Sequence, residues 1–175
     1  MTSRPDASEH APYYGKYTSL VPDGDIVQTL LAQRDTTLAV LQSISDEKSL
    51  YRYAPGKWSI RQCYVHLIDT ERIFTYRALR FARADPTALA GFEQDNYVIP
   101  SGADSRSWQS IVDEYRTVRA ATVALFANLS EDAWSRTGTA SNNPVSVRAI
   151  AYITAGHDIH HRNMLREHYG VACNP

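Results

Sequence analysis

Two histidines one helical turn apart, His157 and His161, stand in a stretch whose apolar residues recur at steps of three and four. Val147, Ile150, Thr154, His157, His161, Met164 and His168 fall on one stripe, which a bundle helix turns toward its core. Side chains four apart lie over one another, so both rings reach a single ion. Neutral imidazole suits zinc, nickel, copper and iron, which makes the pair a candidate half of a metal centre. A lone core histidine is more often a hydrogen-bonded core residue, and a pair at this spacing still needs a third ligand. By elimination the third is His66, mid-segment in an earlier helical stretch, beside Ile60, Cys63, Ile73 and Phe74. The others are less central: His10 lies in the N-terminal segment and His168 near the chain end.

The neighbours of these residues suggest supporting roles. His160 sits about 100° round the helix from His161 and is expected on the rim. Asp69 and Thr70 share the face of His66, and Asp69 is the expected acceptor for the second ring N–H of a ligating histidine. Asp158 is a further candidate to orient a ligand. Cys63, one turn before His66, is a weaker alternative ligand, since buried cysteines are common without a metal. Arg77 lies about 16 Å further along the same face and is expected to reach out at the bundle end. The run His157-Asp158-Ile159-His160-His161 reads H-D-x-x-H, near the H-E-x-x-H of zinc proteases. That reading is disfavoured, because the residues after His161 continue the same helix and no sheet is apparent.

Four helical segments must position these residues. The first follows Pro22-Asp23-Gly24-Asp25, with Asp23 or Asp25 as its cap, and carries Ile26, Leu30, Leu31, Leu38, Leu41 and Ile44 near one face. The second is expected over about residues 60–83, opened by Ser59 and Gln62 at capping-box spacing and stopped before Asp85-Pro86. The third starts near Asp104 or Ser105 and runs through Leu129, with a short extra turn at 130–134. The fourth follows Asn142-Asn143-Pro144. No strand pattern competes. Residues 84–103 show no clear periodicity, and a connection of that length suggests a crossover between parallel second and third helices.

A chain of 175 residues corresponds to one domain, 1–175, with residues 1–12 expected as a flexible tail. The formal net charge is −1, with Lys+Arg 18 against Asp+Glu 19, which argues against a nucleic-acid partner. The basic residues are mostly arginine; the lysines are Lys16, Lys48 and Lys57. No apolar run approaches the ~20 residues of a membrane span. The first ten residues lack the apolar core of a secretion signal. Cys63 and Cys173 show no disulfide-framework spacing, and a cytoplasmic protein is expected.

Taken together, Gly56-Lys57-Trp58-Ser59-Ile60-Arg61, His66-Leu67-Ile68-Asp69-Thr70-Glu71-Arg72, Gly91-Phe92-Glu93-Gln94-Asp95-Asn96-Tyr97, Val145-Ser146-Val147-Arg148-Ala149 and Ala155-Gly156-His157-Asp158-Ile159-His160-His161 resemble the DinB-like (YfiT-like) proteins. The resemblance covers about residues 13–169. It implies an all-α four-helix bundle in up-down-down-up order, with the long crossover between helices 2 and 3. It also implies a divalent-metal site at His66, His157 and His161, frequent homodimers and, in some members, a low-molecular-weight thiol cofactor.

An open three-histidine site is the arrangement of catalysis more than of structural metal. The first expectation is a metal-dependent hydrolase or thiol S-transferase acting on a small molecule, with water or thiol as nucleophile. Zinc or nickel is expected before iron or manganese. No catalytic base stands out. The second expectation is a non-catalytic, dimeric metal-binding module of a stress response; a third is a bundle that has lost its metal.

Overall fold

The computed structural model describes residues 3–172; Met1, Thr2 and residues 173–175, Cys173 among them, lie outside it. The chain forms α1 (Gly15–Thr18), α2 (Ile26–Gln42), α3 (Asp46–Ser49), α4 (Ile60–Ala82), α5 (Gln94–Val98), α6 (Trp108–Ala127) and α7 (Val147–His168). Each long helix begins at a side-chain cap that satisfies amide groups with no partner inside the helix. Asp25 accepts from the Val27 and Gln28 amides, Ser107 from Ser110, and Ser146 from Ala149. Ser59 and Gln62 form the expected capping box at the start of α4.

Helices α2, α4, α6 and α7 make a four-helix bundle in up-down-down-up order. Cross-helix bonds fix the directions. Gln33 donates to the Ala155 carbonyl and Thr37 to Asp158, so α2 and α7 run parallel. Ser59 donates to Asp104, and Arg61 to the carbonyls of Asp104 and Arg106, so the starts of α4 and α6 lie together. The Trp108 indole N–H donates to the Leu41 carbonyl, where α6 begins beside the end of α2. The crossover between α4 and α6 is thus a geometric necessity of two parallel neighbours.

Two expectations fail here. A short antiparallel hairpin, β1 (Thr137–Ala140) and β2 (Asn143–Ser146), precedes α7 where no strand is apparent in the sequence. Its turn residues Ser141 and Asn142 both have positive φ, 52° and 62°, as a tight two-residue hairpin requires. Leu89 of the crossover bonds alongside, its amide to Thr139 and its carbonyl from Ser141, so the hairpin clamps the crossover. The N-terminal segment is not a loose tail from Ser3 onward. Arg4 donates to the carbonyls of Thr18 and Val21, and Glu9 is paired with Arg148 and accepts from Ser146. His10 is buried. No helix among the described residues is long and apolar enough to cross a membrane.

A charged network crosses the bundle interior. The Arg119 guanidinium, fully buried on α6, makes two 2.8 Å bonds to Glu71 of α4 and one of 3.2 Å to Asp158 of α7. Gln33 of α2 also accepts from it. Asp158 accepts from Thr37 and Tyr115 at 2.8 and 2.7 Å, and from Arg162 at 3.1 Å. Buried charges persist only when so paired, and the polar geometry sets how the helices register.

Candidate metal centre

His66 comes from the middle of α4, and His157 and His161 from successive turns of α7 where the two helices pack antiparallel. All three rings are 5% exposed, which places them inside rather than on the surface. Their Nε2 atoms converge: His66 and His157 lie 3.3 Å apart, and His157 and His161 3.0 Å. One nitrogen from each ring lies within 4.8 Å of the others. Two nitrogens bound to a tetrahedral zinc stand about 3.3 Å apart, so the donor set fits an ion of that kind. Burial lowers the His66 pKa to about 4 and those of His157 and His161 well below the usual value. The rings are therefore neutral near pH 7, the form that ligates.

The supporting residues differ from expectation. Asp69 does not reach a histidine; it lies by Arg72 at 3.5 Å, and burial raises its pKa. Thr70 instead places its hydroxyl 3.5 Å from His66 Nδ1. One residue of helical phase explains the exchange, because a side chain four along sits more squarely over the ring than one three along. Asp158 points away from the rings into the Arg119 network. His160 is half-buried, packed against Tyr17 at 5.4 Å between ring centres, and lines the pocket rim as expected. His161 Nδ1 is buried with no hydrogen-bond partner among the described residues. Cys63 lies outside the cluster; its sulfur faces the Tyr169 hydroxyl at 3.2 Å, and burial pushes the thiol up to about 11. Arg77 does not reach out: it is buried and donates to the Ala90 carbonyl and to Ser141 Oγ.

Aromatic side chains wall the site. Trp58 packs against His66 at 5.0 Å between ring centres, and Tyr17 against His157 at 5.1 Å. A cavity of about 400 Å³ opens over the rings between α1, the loop before α4, α5 and the end of α7. A second, of about 410 Å³, adjoins it beneath the crossover. The crossover contributes Gln94 and Asp95 to both, because a short helix forms where periodicity was not evident. Tyr17 carries no sequence signal for this role. It reaches His157 because α1 lies directly on α7: a Cβ at Gly156 would stand 2.0 Å from the Tyr17 carbonyl oxygen.

Comparison with known proteins gives a consistent frame. The family model of the DinB superfamily matches residues 29–165. YfiT from Bacillus subtilis, described as a "probable metal-dependent hydrolase with an unusual four-helix bundle topology", superposes with a TM-score of 0.73 at 14% identity, over 87% of this chain and 94% of that one. The mycothiol-dependent maleylpyruvate isomerase superposes with a TM-score of 0.70 at 10% identity, over 90% of this chain; the match spans 64% of the isomerase. A DinB-like protein (YjoA) from Bacillus subtilis gives 0.62 at 20% identity, over 87% of this chain and 96% of that one. At these identities the likeness is one of fold. No curated protein matches significantly in sequence.

Proposed function

Because the chain belongs to the DinB superfamily, we propose that His66, His157 and His161 bind one divalent ion, zinc or nickel first, in a small-molecule hydrolase or thiol S-transferase. The observation that carries the reading is the convergence of three buried, neutral imidazoles on one point. A divalent ion held by these three residues would lower the pKa of water or a thiol toward neutral. The chain's own residues do the rest. α4 and α7 hold the three nitrogens on a rigid frame, so little reorganisation accompanies binding. Thr70 faces His66 Nδ1 and favours its Nε2 as the free donor. Tyr17 and Trp58 cover the rings and limit water around them.

The relatives' descriptions support both halves of this reading, hydrolysis in one and thiol dependence in the other. Elemental analysis of protein purified without a histidine tag tests the metal: one ion per chain is expected, lost in His161→Ala. Less than a tenth of an ion per chain, unchanged in that variant, contradicts the centre. Turnover is tested by loading the protein with zinc and supplying several low-molecular-weight thiols with monochlorobimane. Conjugation above that of His66→Ala supports the transferase; the absence of any difference favours the alternative of a metal-binding module without catalysis.

A further inference from the structure

We propose that the pocket over the three histidines selects a small anionic molecule, and that Lys16 and Lys57 on its rim are the residues that read the charge. This rests on the metal-centre reading for where the ligand anchors, but not for its charge. The chain has three lysines against fifteen arginines, and two of the three stand on this one pocket. The ion pairs of the described residues are all made by arginine. Among the described residues neither Lys16 nor Lys57 has a carboxylate within ion-pair distance, so both ammonium charges stand unpaired there beside a cleft.

Each is held in place without being neutralised. Lys16 Nζ sits 3.8 Å from the centre of the Tyr13 ring and 4.9 Å from that of Tyr17, and Lys57 Nζ 5.9 Å from that of Tyr53. An aromatic face orients a cation but leaves its charge available. The other sign comes from the crossover: Asp95 lines the same pocket, and Glu93 lines the adjoining one. The cleft thus takes its cations from α1 and the loop before α4, and its carboxylate from α5. Low-dielectric walls focus such a field and concentrate the matching ion. A cavity of about 400 Å³ takes a small molecule rather than a polymer segment.

Three thiols of similar length test the charge directly: 3-mercaptopropionate, 3-mercapto-1-propanol and cysteamine. Each is titrated into cobalt-loaded protein and followed by the sulfur-to-cobalt charge-transfer absorption. The anionic thiol is expected to bind about fivefold tighter than the neutral one, and the cationic thiol more weakly still. In Lys16→Gln/Lys57→Gln the preference for the carboxylate disappears while cobalt content stays the same. Equal affinities in the unmodified chain, or an order that survives the double substitution, overturn the proposal. Cobalt content separates it from the metal reading. If the chain takes up no cobalt, the metal reading fails, and the rim charge is read in the metal-free protein by iodide against caesium quenching of Trp58 in a Trp134→Phe background. Stronger iodide quenching that falls in the double variant supports the lysines; equal quenching overturns them.

Discussion

The three histidines were legible to different degrees, and spacing accounts for the difference. His157 and His161 share a core stripe, so their pairing follows from one turn of helix. His66 lies 91 residues from His157, and only elimination or family likeness brings it to them. The residues around the rings were less legible still. Tyr17 meets His157 across 140 positions, and Thr70 rather than Asp69 faces His66 because a single residue of phase decides which side chain covers a ring. Two predictions belong at this scale. Thr70→Val removes the hydroxyl beside His66 Nδ1 at nearly constant volume, and zinc affinity measured by competition with a chelator is expected to fall about tenfold. Glu9 gives the second. Its pairing with Arg148 holds the carboxyl at about 2, below the ordinary 4.5. The folded pKa is the lower one, so the contribution is complete above about pH 4.5 and is lost as pH falls toward 2. Glu9→Gln is expected to cost about 1–2 kcal/mol in urea unfolding at pH 7, and the difference from the parent should vanish near pH 2.

Helices were read from the sequence far better than strands or loops. The four long helices begin at Asp25, Ser59, Ser107 and Ser146, and each cap is a short side-chain acceptor followed by apolar periodicity. The hairpin before α7 escaped because four-residue strands show almost no period, and its turn uses Ser141-Asn142 rather than a glycine pair. The N-terminal segment escaped for another reason: its order comes from contacts with Arg148 and α7 near the far end of the chain. Those contacts make Gly156 a test of the seam between α1 and α7. A methyl group there meets the Tyr17 carbonyl at 2.0 Å, backbone that cannot yield as a flexible side chain would. Gly156→Ala is expected to destabilise the fold by about 1–3 kcal/mol. Faster amide exchange in residues 13–18, with the middle of α2 unchanged, would show that the loss is local.

At the scale of the whole molecule, the charged network spans all four long helices and shares α4 and α7 with the candidate metal centre. Glu71 lies five residues beyond His66, and Asp158 directly follows His157, so the bonds to Arg119 set the register of α4 and α7 from which the histidines project. Arg119→Met leaves the buried Glu71 without its cation and Asp158 with Arg162 alone, and is expected to cost roughly 3–5 kcal/mol in chemical unfolding. Replacing Glu71 and Asp158 by neutral amides in the same background should recover part of that loss, because the cost is chiefly that of the orphaned charges. The separation between His66 and His157 has a consequence during synthesis. As the chain leaves the ribosome, 91 residues separate the first candidate ligand from the second, and α7 emerges after α2, α4 and α6. An ion that these residues would bind can meet only one of the three until α7 has emerged. Loading would therefore wait for α7, and a chain cut short before residue 157 carries His66 alone of the three.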